Sequence, residues 1–340
     1  MFPPSSRHPL LRSYRPRLGR LLALVAPLAF AACAGDDSPL APADAPPAPA
    51  TAESAAVETA APDQALLASA QRILFVSTRA GGYDVFKMDP TGANVARVTF
   101  FGYYGTEPAW AWDNNRIALI RPRKDAQSVE HADLFLMNAD GSNKHWARSQ
   151  ASSFDMRYPS WSPDGVHIVL AVMFGGTPYL ATLNVTNGNM AFILHGGKVI
   201  PGNFPTYDKT GKRVLYVDGT GKVIIQLDLS TDTGYYMVTS AYTMGCPQLS
   251  PDGTRIAFQK VVGPNVDVYV KYLYGGAERR LTTDPGYDGV PTWSPDGTRI
   301  AFQSQRTGKS QIWVVNSATG GSLTQITKSA FEEKSATWSH

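Results

Sequence analysis

One thirteen-residue stretch constrains this chain more than any other, because the chain writes it repeatedly. Pro291–Gln303 reads PTWSPDGTRIAFQ, Pro247–Gln259 reads PQLSPDGTRIAFQ, and Pro159–Ala171 reads PSWSPDGVHIVLA. Two worn copies stand at Pro108–Ile120 (PAWAWDNNRIALI) and Pro205–Val217 (PTYDKTGKRVLYV). A sixth copy is split: Ala336–Ser339 ends the chain, and Arg72–Val76 opens the repeated part. Counted from Pro108, the anchors stand 51, 46, 42, 44 and 45 residues apart, ending at Ala336. A period in the forties marks a repeat architecture and precedes the reading of any single residue.

Each copy opens with a short strand that carries one large apolar residue: Trp110, Trp161, Tyr207, Leu249, Trp293 or Trp338. A turn follows, Ser-Pro-Asp-Gly in its cleanest form. Proline presets φ, and glycine accepts the left-handed conformation. A second strand returns from the turn. A third is expected at Asp84–Met88, Asp133–Met137, Tyr179–Leu183, Val223–Leu227, Asp267–Lys271 and Gln311–Val315. A glycine-containing turn and a fourth strand, such as Ala96–Thr99, Arg279–Thr282 or Thr324–Thr327, complete each unit. Four antiparallel strands with no helical periodicity make one propeller blade.

The split copy decides how many blades there are and how they close. Ala336–Ser339 lacks its second strand and Arg72–Val76 lacks its first, so the two chain ends complete one blade. Joining them removes two exposed sheet edges. Residues 71–340 number 270, enough for six blades of 45. The expected fold is all-β: a six-bladed β-propeller of four-stranded blades, its ring closed by the C-terminal strand.

The Pro-x-Trp-Ser-Pro-Asp-Gly-x-x-Ile-x-Phe unit resembles the Pro-Asp, WD40-like propeller repeat of the TolB family. The pattern Ser-x-Arg-x-Gly, then Ile-Trp-Val-Val-Asn, Gly and Gln-Ile-Thr, at Ser304–Thr327 and more loosely at Ser77–Thr99, fits the same family. The resemblance spans residues 71–340. It implies a propeller that binds a protein of the cell envelope and performs no chemistry of its own. One departure stands out: TolB carries an α/β domain before its propeller, and this chain carries a low-complexity linker there.

The N-terminus reads as an export signal. Met1–Arg20 holds five arginines and no acid, and the apolar run Leu21–Ala32 is too short to span a bilayer. It ends Leu28-Ala29-Phe30-Ala31-Ala32-Cys33, which resembles a bacterial lipobox with Cys33 as the lipidated first residue. Ala34 follows, rather than the Asp that resembles an inner-membrane retention signal, which implies the outer membrane. Residues 1–32 are thus read as a lipoprotein signal peptide. Residues 33–70, rich in Ala and Pro, form a disordered tether that holds the propeller of 71–340 off the membrane. Removing five positive charges from the formal +3 leaves −2, so no electrostatic case for nucleic acid remains. With Cys33 acylated, Cys246 is expected to lack an intrachain partner and to be an inert, half-buried thiol.

Most conspicuous residues read as structural. The large ring in each first strand fills the wedge between blades. The basic column Arg72, Arg116, His167, Arg213, Arg255 and Arg299 recurs in every blade, which points to a repeated packing contact with a turn Asp. No Gly-x-Ser-x-Gly elbow, P-loop, dinucleotide fingerprint or clustered metal-ligand spacing occurs, so no catalytic residue, metal or cofactor is expected. Function is expected where the repeat is broken. The blade-to-blade crossovers carry Tyr103, Tyr104, Glu107, Asp155, Arg157, Tyr158, Tyr287, Asp288 and Glu332. The connection Arg121–His131, read as an expanded loop, adds Arg121 and Arg123. These residues are expected to share one face and to bind an envelope protein as a monomer. The alternative reading is a propeller enzyme, a carbohydrate-active lyase or hydrolase, with a small-substrate or ion site in its central channel.

Overall fold

The computed structural model describes residues 71–102, 106–149, 153–273 and 275–340. The leader, the tether and Cys33 lie outside the described residues, as do Tyr103 and Tyr104. Among the described residues there are six four-stranded antiparallel sheets and one small hairpin. Blade 1 is built from Glu333–Trp338, Ile73–Ser77, Asp84–Met88 and Ala96–Arg97. Blade 2 is Thr106–Trp110, Arg116–Lys124, Glu130–Asn138 and His145–Trp146. Blade 3 is Asp155–Trp161, His167–Phe174, Thr177–Asn184 and Met190–Phe192. Blade 4 is Gly202–Tyr207, Arg213–Asp218, Val223–Asp228 and Thr233–Thr239. Blades 5 and 6 start at Met244–Leu249 and Asp288–Trp293 and end at Arg279–Arg280 and Thr324–Gln325.

The ring closes as the split repeat requires. The C-terminal strand pairs with the first strand of the described chain, Ile73 opposite Trp338 and Ser77 opposite Glu333. Each blade's first strand neighbours the first strands on both sides, blade 6 against blade 1 included. The six first strands therefore form the inner wall of a channel.

The apolar core is divided among the wedges between blades. Each of six buried clusters joins side chains of two adjacent blades. Trp161 sits between blades 2 and 3, Tyr207 between 3 and 4, Trp293 between 5 and 6, and Trp338 between 6 and 1. Leu249, the only non-aromatic member of the column, is half-buried.

The basic column makes structural contacts: Arg116 and His167 meet an Asp of their own turn, Arg72 and Arg213 pair with Asp89 and Asp228, and three members cross to the next blade. Arg116 lies 4.8 Å from the Trp161 ring, Arg255 4.6 Å from Trp293, and Arg299 5.0 Å from Trp338. Arg116 and Arg255 also donate to the carbonyls of Gly165 and Gly297, each 2.9 Å away in the neighbouring blade's turn. Those turns are held by their own side chains. Asp164 and Asp296 accept from Ser162 and Ser294, which keeps both carboxyls below the ordinary range. The turn glycine sits at φ +66° to +71°, and in blade 2 Asn114 takes that position at +57°.

Two local details depart from expectation. The fourth strands are mostly two residues long, because a threonine takes over the pairing. Thr99 Oγ1 accepts from Val85 N at 2.9 Å and donates to buried Asp84 at 2.6 Å. Thr282 does the same for Val268 and Asp267. Residues Arg121–His131 are not an expanded loop. Arg121–Lys124 and Glu130–His131 extend the two strands in register, Arg121 opposite Asp133 and Lys124 opposite Glu130, and only 125–129 turn. The chain alternates direction at every strand. The connections between second and third strands and the blade-to-blade crossovers therefore share one face, and the Ser-Pro-Asp-Gly turns lie on the other.

Closure through Trp338 sets an expected cost. Trp338→Ala should destabilise the whole propeller by about 3–5 kcal/mol, and deletion of 335–340 should cost more. Denaturant unfolding checks this; an unchanged midpoint for the deletion would show that blade 1 does not depend on its C-terminal strand.

Candidate functional site

Every first strand contains a bulge at the same place. Pairing slips between Thr106 and Ala109, Arg157 and Ser160, Asn203 and Thr206, Gly245 and Gln248, and Gly289 and Thr292. The residue before each repeated proline adopts the left-handed conformation: Glu107 at φ +55°, Tyr158 +54°, Phe204 +52°, Cys246 +48° and Val290 +53°. Ser335, before Ala336, does so at +49°. Side chains other than glycine hold this conformation at a cost of about 1–3 kcal/mol each. The bulge is therefore imposed by the ring, and it turns one residue per blade toward the axis.

These six residues all line a cavity of about 440 Å³ that runs along the channel. Their backbones are alike and their side chains are all different. The set comes from the ends of the first strands next to the crossover face. At the opposite mouth, Trp112, Lys209, Asp252 and His340 line the cavity, with His340 stacked 4.1 Å over Trp112. Among the described residues, no three His, Cys, Asp or Glu side chains form a group able to hold a metal ion.

Of the residues marked from sequence, Glu107 and Tyr158 belong to this ring. Glu107 is buried, accepts from Tyr158 N and lies 3.6 Å from Arg157. The Tyr158 ring packs 4.3 Å from Phe204. The other four ring members are new, and the signal for them was the position before the repeated proline. Asp288 is fully buried and bound by Arg306 at 2.7 Å. Tyr287 donates to Gln259 at 3.1 Å, and burial pushes its phenol well above the usual range. Both therefore pack inside blade junctions. Asp155 accepts from Ala132 N and lies 3.5 Å from His131, while Glu332 accepts from Ser310 N. Arg123 donates to the carbonyls of Arg148 and Ser149. Arg121 stands apart. Its guanidinium lies 3.6 Å from the Phe101 ring centre, 4.9 Å from Phe135 and 5.5 Å from Trp146. Cys246 departs from expectation in one respect: it is half-buried but not a free thiol.

Exposed apolar residues occur on both faces and on outer strands, Tyr236 and Tyr272 among them, and five lie on connections of the crossover side. Phe100 and Phe174 are each 67% exposed, and Val129, Tyr242 and Phe331 project from other connections of that face.

The TolB β-propeller domain model matches residues 188–340. Over those residues, a little under half of its length, the chain is similar to the TolB β-propeller domain. TolB from Acinetobacter baumannii is similar at a TM-score of 0.68 with 17% identity, covering 79% of this chain and 66% of that one, a little under two thirds. A putative TolB from Agrobacterium tumefaciens gives 0.59 with 16% identity over 76% and 88%. An oligogalacturonate lyase in complex with manganese gives 0.50 with 12% identity over 75% and 73%. These likenesses establish the fold. No curated protein matches the chain.

The burial of Asp288 sets a test of its role in this propeller. Arg306→Ala leaves a buried carboxylate without its partner and should cost about 3–5 kcal/mol. Arg306→Ala with Asp288→Asn should recover part of that loss in denaturant unfolding. A ΔΔG near zero for the single variant would show that the pair contributes nothing.

Proposed function

We propose that the chain is an exported, lipid-anchored propeller whose crossover face binds a protein of the bacterial cell envelope. The observation that carries this reading is where the repeat loses its symmetry. The turn face repeats the same Ser/Asp locks, and packing alone accounts for them. The crossover side carries six unlike residues on one repeated bulge and five exposed apolar side chains around it. Exposed apolar and aromatic groups rimmed by charge are what protein interfaces use. The resemblance to TolB supplies the class of partner, and the expected state is a monomer.

The test is a partner captured from envelope extract and mapped by hydrogen exchange on the full chain. Protection should fall on Phe100, Phe174, Phe331 and their neighbours. Phe174→Ser combined with Phe331→Ser should weaken binding on the order of tenfold or more with no change in melting temperature. A footprint confined to the Ser-Pro-Asp-Gly turns would overturn the assignment.

Export and anchoring rest on the arginine-rich leader and the Leu28–Cys33 sequence. The chain has two cysteines, so a Cys33 sulfur bound to lipid is not available to Cys246. The intact mass of the exported protein should show acyl chains on Cys33, and Cys33→Ser should leave the membrane fraction. A Cys33–Cys246 disulfide recovered from exported protein would replace the lipid anchor with a covalent clasp.

A second reading, a carbohydrate-active lyase or hydrolase, is favoured by one observation, the cavity along the channel. Turnover of an oligogalacturonate with added manganese would move the assignment to that reading.

A further inference from the structure

The arginines of the crossover face come in two kinds. Arg79 is paired with Glu333 at 2.7 Å, Arg97 with Asp84 at 2.7 Å, Arg280 with Asp267 at 2.6 Å, and Arg306 with Asp288 at 2.7 Å. Arg123 and Arg157 stand 3.7 Å and 3.6 Å from Asp133 and Glu107. Arg121 has no such partner. Its guanidinium forms no hydrogen bond or ion pair among the described residues, and its Nε is buried and unsatisfied. The side chain is nonetheless held in place by the three rings of Phe101, Phe135 and Trp146.

A half-buried cation without a counter-charge is costly for a fold to keep. Stacking against aromatic faces offsets part of that cost and fixes the fork before any ligand arrives. A fork fixed in this way loses little entropy when it binds. Burial also lowers the guanidinium's affinity for its proton, and the nearby Asp84 carboxylate opposes that shift.

We infer that Arg121, framed by Phe101, Phe135 and Trp146, is the anchor for a carboxylate side chain of the protein that docks on the crossover face. This rests on the docking reading above and names the chemistry of the partner's contact. A carboxylate fits better than a phosphate because a single positive charge is unspent there. Asp84 and Asp133 lie beside it, their own arginines already engaged, and they oppose a second negative charge. Exposed Phe100, 4.6 Å from Arg97, gives the acidic residue's neighbours an apolar surface to rest on.

The test is an NMR titration of the full chain in detergent, following the Nε–Hε signal that Arg121→Gln removes. The probes are N-acetyl-glutamate N-methylamide, its glutamine analogue and its phosphoserine analogue. The glutamate probe should give a saturable shift with a dissociation constant about tenfold or more below that of the glutamine probe. Arg121→Lys, which keeps the charge and loses the fork, should weaken it. The proposal is overturned if no saturable shift occurs, if glutamate and glutamine respond alike, or if phosphoserine binds more tightly than glutamate. Should Arg121→Gln fail to fold, the wild-type comparison of the three probes still decides. A crossover-face footprint without an Arg121 response overturns this anchor and leaves the docking reading standing. A saturable response with a turn-face footprint does the reverse.

Discussion

The structure depends on one pairing, that of Glu333–Trp338 with Ile73–Ser77. No blade has a core of its own, because each of the six apolar clusters belongs to two blades. Blade stability is therefore a neighbour property, as in other repeat proteins, and an open ring would leave two faces uncovered. The closing strand supplies Trp338 to the last wedge. The chain is pinned there by Arg72 N donating to Ser339 Oγ at 2.9 Å and Ser339 N donating to the Arg72 carbonyl at 2.8 Å. Residues 267 positions apart in sequence thus complete one blade.

Closure also explains the strained ring at the axis. Six inner strands crowd around a narrow channel, and a bulge in each bends the strand and re-aims one side chain. Val290, β-branched and at φ +53°, is the least suited of the six to that conformation. That the geometry persists through Glu, Tyr, Phe, Cys, Val and Ser shows that the ring dictates it. The backbone pays this cost at every blade, and the side chain is then free to differ. Four of the six, Tyr158, Phe204, Cys246 and Val290, also pack into one apolar cluster, so the asymmetry of the channel extends into the wedge between blades 4 and 5.

How much of this was legible depended on whether the information is local. The strands, the turn chemistry and the split blade follow from spacing and from residues a few positions apart, and the structure agrees with them. The Ser-x-Arg motif was visible too, but its partners were not: Arg79 reaches Glu333 and Arg306 reaches Asp288, across strands. Asp288 therefore looked like a rim acid and is a buried one. Arg121–His131 looked like a loop because its charges break the apolar alternation. Two edges exposed beyond the wedge let polar residues pair as strands there. The bulge left a trace, the residue before each proline, but its handedness depends on six strands meeting at one axis.

The aromatic frame around arginine is a device the chain uses on both faces to different ends. On the turn face, Arg116, Arg255 and Arg299 stack on the next blade's tryptophan, and Arg116 and Arg255 also reach a turn carbonyl there. Their charge is partly absorbed within the fold. Arg213 lacks such a ring because Leu249 stands where the tryptophan would be. It pairs with Asp228 at 3.3 Å and borders the axial cavity with buried Gln226. On the crossover face, Arg121 has the rings and lacks the acceptor. Where ring and acceptor are both present, the arginine fastens blades together. At Arg121 the rings stand without an acceptor, and the fork is left with capacity that packing does not use.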